Sequence, residues 1–505
     1  MLRFILRRLA ASIGILFAAS LLLYVLVVNS GDPLAELRES NAENRENLMR
    51  QRSEFMNLDQ PWYQRYWTWL VGVGQCFKLE CDLGTNRQGI EVVDLLALAA
   101  GSTLRLVLLA TVLAAVLGIA IGVLTAVRQY SGLDYGVTFL TFLFFSLPVF
   151  WAAVLLKEYM AIGYNDWIRE PQFSVPQIVV IAVVVGFLMQ VFLAGNRTRR
   201  IVTFLVSAGF VALVIPYLTW LNFFRFPQLG FGAVMLLTLG VALSGTAMSV
   251  GLRNTKVLYP ALATAALGAI LYFVTFGLLE EPNVWILAGG GALAVALPAL
   301  LGHFMGGWLR TQAIGVSVAT GLVAATFTTV DHIFRAWPGF LAIKPRPIAT
   351  IGSQTPNFAG TFWEDFLDKG AQLLLPTILL AIISLASYSR YTRSSMLEVG
   401  QQDYIRTARS KGLSERTVIF RHAFRNAMIP IATIAAFDFA GLIGGAVITE
   451  SVFGWKGMGE LFRTGLTQVD PAPVMAFFLV TGTAAVLFNM LADIFYAILD
   501  PRIRV

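Results

Sequence analysis

Long apolar runs alternate with polar segments over most of the chain. Because about twenty apolar residues are enough to cross the hydrocarbon core of a bilayer as a helix, each long run predicts one transmembrane helix. Twelve such helices are predicted, at 9–28, 101–127, 134–160, 175–194, 201–221, 230–251, 258–278, 284–304, 312–330, 371–389, 431–449 and 473–498. The pattern therefore predicts an all-α polytopic membrane protein.

The composition agrees with this class. Apolar residues make up 57% of the 505 residues and charged residues only 13%, whereas a soluble domain has about a quarter charged residues. The net charge of +7 does not indicate nucleic acid, because the basic residues lie in short loops between the spans. Arg3, Arg7 and Arg8, followed by an apolar run to Val28, are typical of an uncleaved first helix.

The basic residues also predict how the chain crosses the membrane, because cytoplasmic loops are enriched in Lys and Arg. The segment 196–200, Arg128 and Arg310 fall on the cytoplasmic side, and Glu280 falls outside. The segment 171–330 then contributes six spans, an even number, and returns the chain to the side from which it entered. Both termini are predicted to be cytoplasmic.

Two polar loops are predicted outside the cell. The loop 29–100 carries many charges and a cluster of Trp and Tyr residues, and it could hold short helices along the membrane surface. It also contains both cysteines, Cys76 and Cys81. In an oxidising compartment these could form a disulfide that acts as a structural cross-link; two free thiols are the alternative. The second loop, 331–369, is rich in Gly and Pro.

The segment 401–430 is a basic, polar stretch between two apolar spans. Eight Lys or Arg residues against three acidic residues lie between 390 and 425, which indicates a cytoplasmic loop. The stretch predicts two short helices, with Gly412 at a positive-φ position that ends the first and Ser414 capping the second. One interpretation is a hairpin that transmits motion between a soluble partner and the membrane helices. The other is a basic loop that contacts lipid headgroups.

Several motifs resemble one family of transporters. The run RTARSKG at 406–412 occupies the place of the EAA-x-x-x-G motif of ABC-importer permeases, although only the second Ala and the Gly are retained. The longer run DYIRTARSKGLSERTVIFRHAFRNAMIP resembles the dipeptide, oligopeptide and nickel branch, specifically the first permease of its pair. So do SYSRYTRSSMLEV, GLIGGAVITESVFGWKGMGELF and NMLADIFYAILDPRIR. The resemblance covers 1–165 and 335–505.

The resemblance implies a six-helix permease core, made of 1–170 and 331–505, that is interrupted by six inserted transmembrane helices at 171–330. It implies a protein of the bacterial cell membrane that imports peptides or similar small solutes. Its partners would be a homologous second permease, two ATPase subunits or domains, an extracellular solute-binding protein and the lipid bilayer. ATP and Mg²⁺ would bind to the ATPases, because this chain has no phosphate-binding loop. The chain itself is expected to be no enzyme and to hold no cofactor or metal.

The resemblance also assigns candidate site residues. Those expected to couple the permease to the ATPase lie in the loop 390–430 and are Asp403, Tyr404, Arg406, Thr407, Ala408, Lys411, Gly412 and Leu413. The small side chain of Ala408 would let backbones approach each other. Candidates for the translocation path or its gate are Asp438, Gly441, Gly444, Gly445 and Glu450. Packing within the chain is the alternative for the glycines, and a structural hydrogen bond is the alternative for Asp438.

Two other classes of protein fit the sequence less well. A twelve-helix secondary transporter driven by an ion gradient would need ionisable residues paired at mid-membrane, and Asp438 is the one candidate. A membrane enzyme would need His, Asp or Cys residues clustered at one membrane face, whereas the three histidines are scattered. The inserted segment 171–330 is expected to be a scaffold; a docking surface for an accessory subunit or a lipid is the alternative.

Overall fold

A computed structural model of the chain describes residues 2–41, 43–78, 80–193 and 195–499. Side chains are described for these residues except 2–6, 8, 436, 437, 439, 440, 442–445 and 491–499. Within this part of the chain the regular structure is helical, apart from a single β-bridge between Thr85 and Glu91. The prediction of an all-α fold is confirmed.

The helices are numbered in chain order. The first eight are α1 (Leu2–Val28), α2 (Ala35–Arg38), α3 (Arg45–Phe55), α4 (Trp62–Gln75), α5 (Val92–Val127), α6 (Gly132–Ser146), α7 (Val149–Leu155) and α8 (Gly163–Trp167). The next six are α9 (Val175–Leu193), α10 (Arg197–Trp220), α11 (Gly230–Ser249), α12 (Thr255–Val274), α13 (Val284–Met305) and α14 (Arg310–Ile343). The last seven are α15 (Phe362–Gly400), α16 (Asp403–Ser410), α17 (Glu415–Thr417), α18 (Phe424–Gly445), α19 (Val447–Phe453), α20 (Met458–Thr467) and α21 (Pro471–Leu499).

The helices confirm a multi-pass membrane protein. Ten described helices are long and apolar enough to cross a membrane, and eleven if the bent segment from α6 to α8 is counted as one span. The six spans predicted within 171–330 correspond to α9 to α14. The predicted span 431–449 corresponds to α18, which is not among the ten and has several side chains outside the described part. The cytoplasmic location of the termini stays a prediction.

The predicted continuous helix at 134–160 is wrong. α6 ends at Ser146, and the chain bends by 107° before it continues from Val149. Pro148 explains the bend, because proline has no N–H to donate and forces the residue before it out of the helical conformation. Leu147 accordingly has φ −75° and ψ 125°. The signal for this break was present in the sequence at Pro148.

The predicted outer loops are also partly wrong. Loop 29–100 contains short helices, as the sequence allowed (α2, α3 and α4), but it ends earlier than predicted because α5 begins at Val92. Loop 331–369 is helical at its start, because α14 continues to Ile343, and at its end, because α15 begins at Phe362. A hydropathy pattern marks only the apolar part of a helix, whereas the backbone hydrogen bonds continue into its polar ends.

The helices form two compact units. Unit 1 comprises Met1–Met160, Thr350–Ser353 and Leu373–Val505, and unit 2 comprises Ala161–Ala349 and Gln354–Gln372. In unit 1, α5 packs against α18, α20 and α21. In unit 2, α14 packs against α11, α12 and α13. The predicted domain boundaries near 170 and 330 stay a prediction.

Two glycines in unit 1 let α5 pack closely against α15. A β-carbon at Gly118 would lie 2.6 Å from the β-carbon of Tyr388. A β-carbon at Gly122 would lie 2.5 Å from the β-carbon of Thr392 and 2.7 Å from the carbonyl oxygen of Ser389. This Gly-x-x-x-Gly spacing puts both glycines on one face of the helix, which is a common way for membrane helices to bring their backbones together.

Gly122→Ala is expected to lower the free energy of unfolding by about 1–3 kcal/mol. Thermal unfolding of the purified chain in detergent measures the change. The added methyl group would meet a β-carbon and a backbone oxygen, and neither can move without shifting α15. Gly136→Ala in α6 is the matched control, because a β-carbon there meets nothing within 4 Å. Equal melting temperatures for the two variants would contradict the close packing at Gly122.

Candidate functional site

The segment 401–430, called here the basic hairpin, turns at Gly412. α16 ends at Ser410, and Gly412 has a φ of 75°, which glycine adopts without steric cost. The Gly412 N–H donates to the carbonyl of Arg409 (2.9 Å), and the Leu413 N–H donates to the carbonyl of Ala408 (3.4 Å). These two bonds form a Schellman motif, which ends a helix and reverses the chain. The predicted positive φ at Gly412 is confirmed.

The second arm of the basic hairpin runs directly into α18. The Ser414 hydroxyl accepts a hydrogen bond from the Thr417 N–H (3.4 Å), so the predicted cap is confirmed. After α17 the chain forms a π-helical turn, Val418–Ala423, and then continues as α18. Pro430 lies inside α18. The second arm and α18 therefore form one continuous helical segment.

One face of α16 is buried against unit 1. Ile405 is fully buried and Ala408 is 6% exposed. They form one apolar cluster with Met396 of α15 and with Val418 and Ala423 of the second arm, and Val123 and Ala126 of α5 pack against it. The small side chain of Ala408 thus packs against the chain's own helices. Its expected place near the ATPase contact stays a prediction.

The other candidate coupling residues lie on the exposed face of the basic hairpin. They are Asp403, Tyr404, Arg406, Thr407, Lys411, Gly412 and Leu413. Tyr404 is 43% exposed and Leu413 is 40% exposed, and the Tyr404 hydroxyl accepts a hydrogen bond from the amide of Asn426 (2.8 Å). The Arg409 guanidinium donates to Glu415 (2.9 Å) across the turn. The exposed face thus combines apolar and charged side chains, and the buried face of α16 fixes its backbone. This combination is typical of a docking surface.

An ion pair that the sequence did not predict joins α6 to α15. Arg393 donates two hydrogen bonds to Asp134, from Nε to Oδ1 (2.8 Å) and from Nη2 to Oδ2 (2.9 Å). Asp134 is 2% exposed and also accepts from the Tyr130 N–H (3.0 Å). A single carboxylate at the start of an apolar run was the available signal, since such a group requires a partner.

Arg393→Met is expected to destabilise the chain by about 3 kcal/mol, because it leaves the buried Asp134 carboxylate without its cation. The measurement is thermal unfolding in detergent. Arg416→Met is the control, since Arg416 is exposed on the basic hairpin and no ion pair holds it among the described residues. The double variant Arg393→Met with Asp134→Asn should recover part of the loss, and a double variant no better than the single one would contradict the role of the pair.

The path candidates on α18 differ in their burial and in their neighbours. Asp438 lies beside Tyr388 of α15. Neither the Tyr388 hydroxyl nor Oδ2 of Asp438 makes a hydrogen bond of ordinary geometry with a described residue, and both atoms are buried. Gly441 is exposed, and a β-carbon there would meet nothing within 4 Å. Gly444 and Gly445 lie outside the residues whose surroundings are described.

Glu450 links two helices of unit 1. It is fully buried, and Oε1 accepts from the Thr103 hydroxyl of α5 (2.6 Å). Oε2 accepts from the backbone N–H groups of Gly459 (2.7 Å) and Glu460 (3.1 Å), in the first turn of α20. The carboxylate therefore caps α20 and ties it to α5. This placement gives Glu450 a structural role, and its expected place at the path or gate stays a prediction.

The two cysteines form the disulfide that the sequence analysis considered. Cys76 and Cys81 form a disulfide with their Cα atoms 4.1 Å apart. It closes the short segment after α4, where it acts as a structural cross-link. No group of three or more His, Cys, Asp or Glu side chains among the described residues is arranged to hold a metal ion.

Comparison with known families decides what kind of protein carries these features. Residues 118–505 match the family of binding-protein-dependent transport system inner membrane components, and residues 1–83 match the N-terminal model of the same components. The chain belongs to this family. The description of this family names a membrane component of a transport system that depends on a binding protein, whereas a secondary transporter driven by an ion gradient was the alternative. The apolar helices α9 to α14 lie within the range that the family model spans.

Three relatives illustrate the similarity. The oligopeptide transport system permease protein OppB of Mycobacterium tuberculosis (strain H37Rv) is 44% identical over 154 residues, which are 30% of this chain and 47% of that protein. The di/tripeptide permease DppB of Pseudomonas aeruginosa is 35% identical over 49% of this chain and 71% of that protein. The oligopeptide permease AppB of Bacillus subtilis is 25% identical over 100% of both chains. The chain thus spans about half the length of the mycobacterial relatives it matches.

Proposed function

We propose that the chain is the transmembrane permease subunit of an ATP-driven importer for peptides or similar small solutes. The single observation that carries this proposal is the basic hairpin, which presents an exposed face while its other face is buried against α5 and α15. A soluble ATPase that docks on the exposed face would be joined mechanically to the membrane helices. ATP and Mg²⁺ would bind to that ATPase, which makes this chain the transmitting and conducting part.

The geometry suggests how motion would pass through the chain. α15 runs without interruption from Phe362 to Gly400, and the N-cap residue of α16, Gln402, follows two positions later. The second arm continues into α18 through the π-helical turn. Because the cluster around Ile405 joins α16 to both, a displacement of the basic hairpin would move α15 and α18 together. ATP binding would thereby switch the path between inward-facing and outward-facing states, and hydrolysis would reset it.

A second permease would complete the translocation path. Gly441 leaves open space on α18, so packing against the described residues does not explain its missing side chain. A close approach by a helix of the partner permease would use that space. Oδ2 of Asp438 and the hydroxyl of Tyr388, both buried without a hydrogen bond of ordinary geometry to a described residue, would then face the path or the partner. An extracellular solute-binding protein would deliver the substrate.

The substrate proposal rests on the relatives. The names of the three relatives describe oligopeptide or di/tripeptide transport. Peptides are therefore the first substrates to test, although the selectivity would reside largely in the solute-binding protein. The segment 171–330 is proposed as an inserted module, which fits the shorter length of the mycobacterial relative: the same 154 residues are 30% of this chain but 47% of that one.

The test is purification of the tagged chain from its native membrane, with mass spectrometry of the proteins that remain bound. Recovery of a second permease and an ATPase is expected, followed by ATP-dependent peptide uptake when the complex is reconstituted with its binding protein. Leu413→Glu, on the exposed face, should lose the ATPase and keep the second permease. A chain that purifies alone and moves solute down an ion gradient without ATP would overturn the proposal.

A further inference from the structure

Unit 2 contains a cavity that the transport cycle proposed above does not use. Its volume is about 640 Å³, within the range of sites that hold small ligands. Its wall combines aromatic, basic, acidic and imidazole side chains. The members used below are Phe226, Phe276, Glu280, His332, Arg335 and Trp363.

The cavity lies at the ends of the transmembrane helices. Phe226 belongs to the connection between α10 and α11, and Phe276 and Glu280 belong to the connection between α12 and α13. His332 and Arg335 lie on α14 directly after its apolar stretch at 312–330. Connections between spans lie at the membrane–water interface, which is the depth of lipid headgroups and of the aromatic belt. A ligand in this cavity would therefore meet the membrane at headgroup level.

The basic side of the cavity is formed by Arg335, whose side chain is held in position without a ligand. Arg335 donates from Nε to Oδ2 of Asp331 (2.9 Å) and from Nη2 to the Tyr272 hydroxyl (3.4 Å), and its guanidinium lies 5.2 Å from the ring centre of Phe276. These contacts fix the orientation of the guanidinium. Nη1 has no hydrogen bond to a described residue, and the side chain is 39% exposed. An orientated guanidinium with a free nitrogen is suited to a phosphate oxygen.

Asp331 is satisfied without a ligand. It is fully buried, and Oδ1 accepts from the N–H groups of Leu229 and Gly230, each at 2.8 Å. Oδ2 accepts from Tyr272 (2.8 Å) as well as from Arg335. Asp331 therefore holds Arg335 in place, and it offers no unfilled site of its own.

His332 adds a group that is not satisfied within the chain. It is 4% exposed, its Nε2 is buried, and neither ring nitrogen has a hydrogen-bond partner among the described residues. Its ring packs 5.0 Å from Phe276 and 6.5 Å from Trp363. A buried polar group without a partner costs about 1–3 kcal/mol, which a ligand oxygen beside the imidazole would offset.

The acidic side is provided by Glu280, which is exposed and has no ion-pair partner among the described residues. Glu280 and Arg335 are both near enough to His332 to act on it electrostatically. The cavity thus places one positive group and one negative group around an aromatic wall. A ligand with a phosphate and an ammonium group would match both, whereas a purely anionic ligand would be repelled by Glu280.

We infer that this cavity binds the phosphoethanolamine headgroup of a membrane lipid, with the phosphate at Arg335 and His332 and the ammonium at Glu280. The acyl chains would leave the cavity beside the exposed ring of Phe226, which is 58% exposed. The bound lipid would anchor the segment 171–330 at one membrane surface. Its role would then be that of a lipid-stabilised scaffold beside the transport path.

The test is native mass spectrometry of the purified full-length chain, titrated separately with phosphatidylethanolamine and phosphatidylglycerol. The wild-type chain should bind phosphatidylethanolamine about tenfold more tightly. Glu280→Gln should remove most of that preference, and Glu280→Lys should reverse it. Glu281→Gln is the matched control, since Glu281 is the exposed neighbour and does not line the cavity.

Binding of the phosphate is tested with a variant that does not disturb the fold of unit 2. Because Arg335 also neutralises the buried Asp331, its replacement would disturb unit 2 itself. His332→Phe keeps the ring packing and removes both nitrogens, and it should weaken the binding of both lipids by about tenfold. Equal binding of the two lipids by the wild-type chain, or no change in Glu280→Lys, would overturn the inference. Soluble glycerophosphoethanolamine binding as tightly as the lipid would overturn the assignment to a lipid.

Discussion

Gly412→Pro is expected to abolish the recovery of the ATPase with the purified chain, and with it ATP-dependent uptake. Proline requires a φ near −65°, whereas Gly412 has a φ of 75°. Proline also has no N–H, so the hydrogen bond to the Arg409 carbonyl is lost. The Schellman turn cannot form, and the two arms of the basic hairpin would separate. The exposed residues of α16 would no longer be held in one orientation.

The membrane helices should survive this change. A β-carbon at Gly412 meets nothing within 4 Å, so the effect is confined to the backbone of the turn. The second permease should therefore still co-purify. Gly132→Pro is the matched control: Gly132 is the first residue of α6 after the Ser131 cap, a position where proline is well tolerated. Retained ATPase in Gly412→Pro, or equal loss in Gly132→Pro, would show that the basic hairpin is not the docking element.

Glu450→Ala is expected to lower the free energy of unfolding by about 3 kcal/mol or more, which would be among the largest losses for a single side chain in this protein. The change leaves the Gly459 and Glu460 N–H groups without their acceptor and frees the Thr103 hydroxyl. It also opens a cavity, because the Glu450 side chain is fully buried. Thermal unfolding in detergent measures the loss. Glu460→Ala is the control, because that side chain is partly exposed and pairs with its neighbours Arg463 and Thr464 on the same helix.

The stability should also depend on pH through Glu450. Burial raises the pKa of its carboxyl above the ordinary value, more than the hydrogen bonds lower it. On raising the pH, the unfolded chain then loses this proton first, near pH 4.3, while the folded chain retains it. The free energy of unfolding should therefore fall as the pH rises through the raised pKa. Glu450→Gln should flatten this fall, and an unchanged pH profile in that variant would assign the effect to another group.

Local features of the basic hairpin could be predicted from the sequence, and long-range ones could not. Gly412 and Ser414 were placed correctly because a helix end depends on residues within one turn of it. The burial of Ala408 could not be predicted, because it depends on Met396 and Val418, which pack against it only in the folded chain. The hydrogen bonds of Glu450 to Thr103, Gly459 and Glu460 could not be predicted either, because they form only in the folded chain.

The sequence by itself determined that this is a helical membrane protein, roughly where most of its helices cross, and which stretch forms the basic hairpin. Apolar length and turn chemistry are properties of neighbouring residues, so they can be read directly from the chain. The tertiary structure alone decided that Glu450 meets Thr103, 347 residues away, and that Asp134 meets Arg393, 259 residues away. A buried carboxylate must find a donor, but which donor it finds depends on how the helices pack.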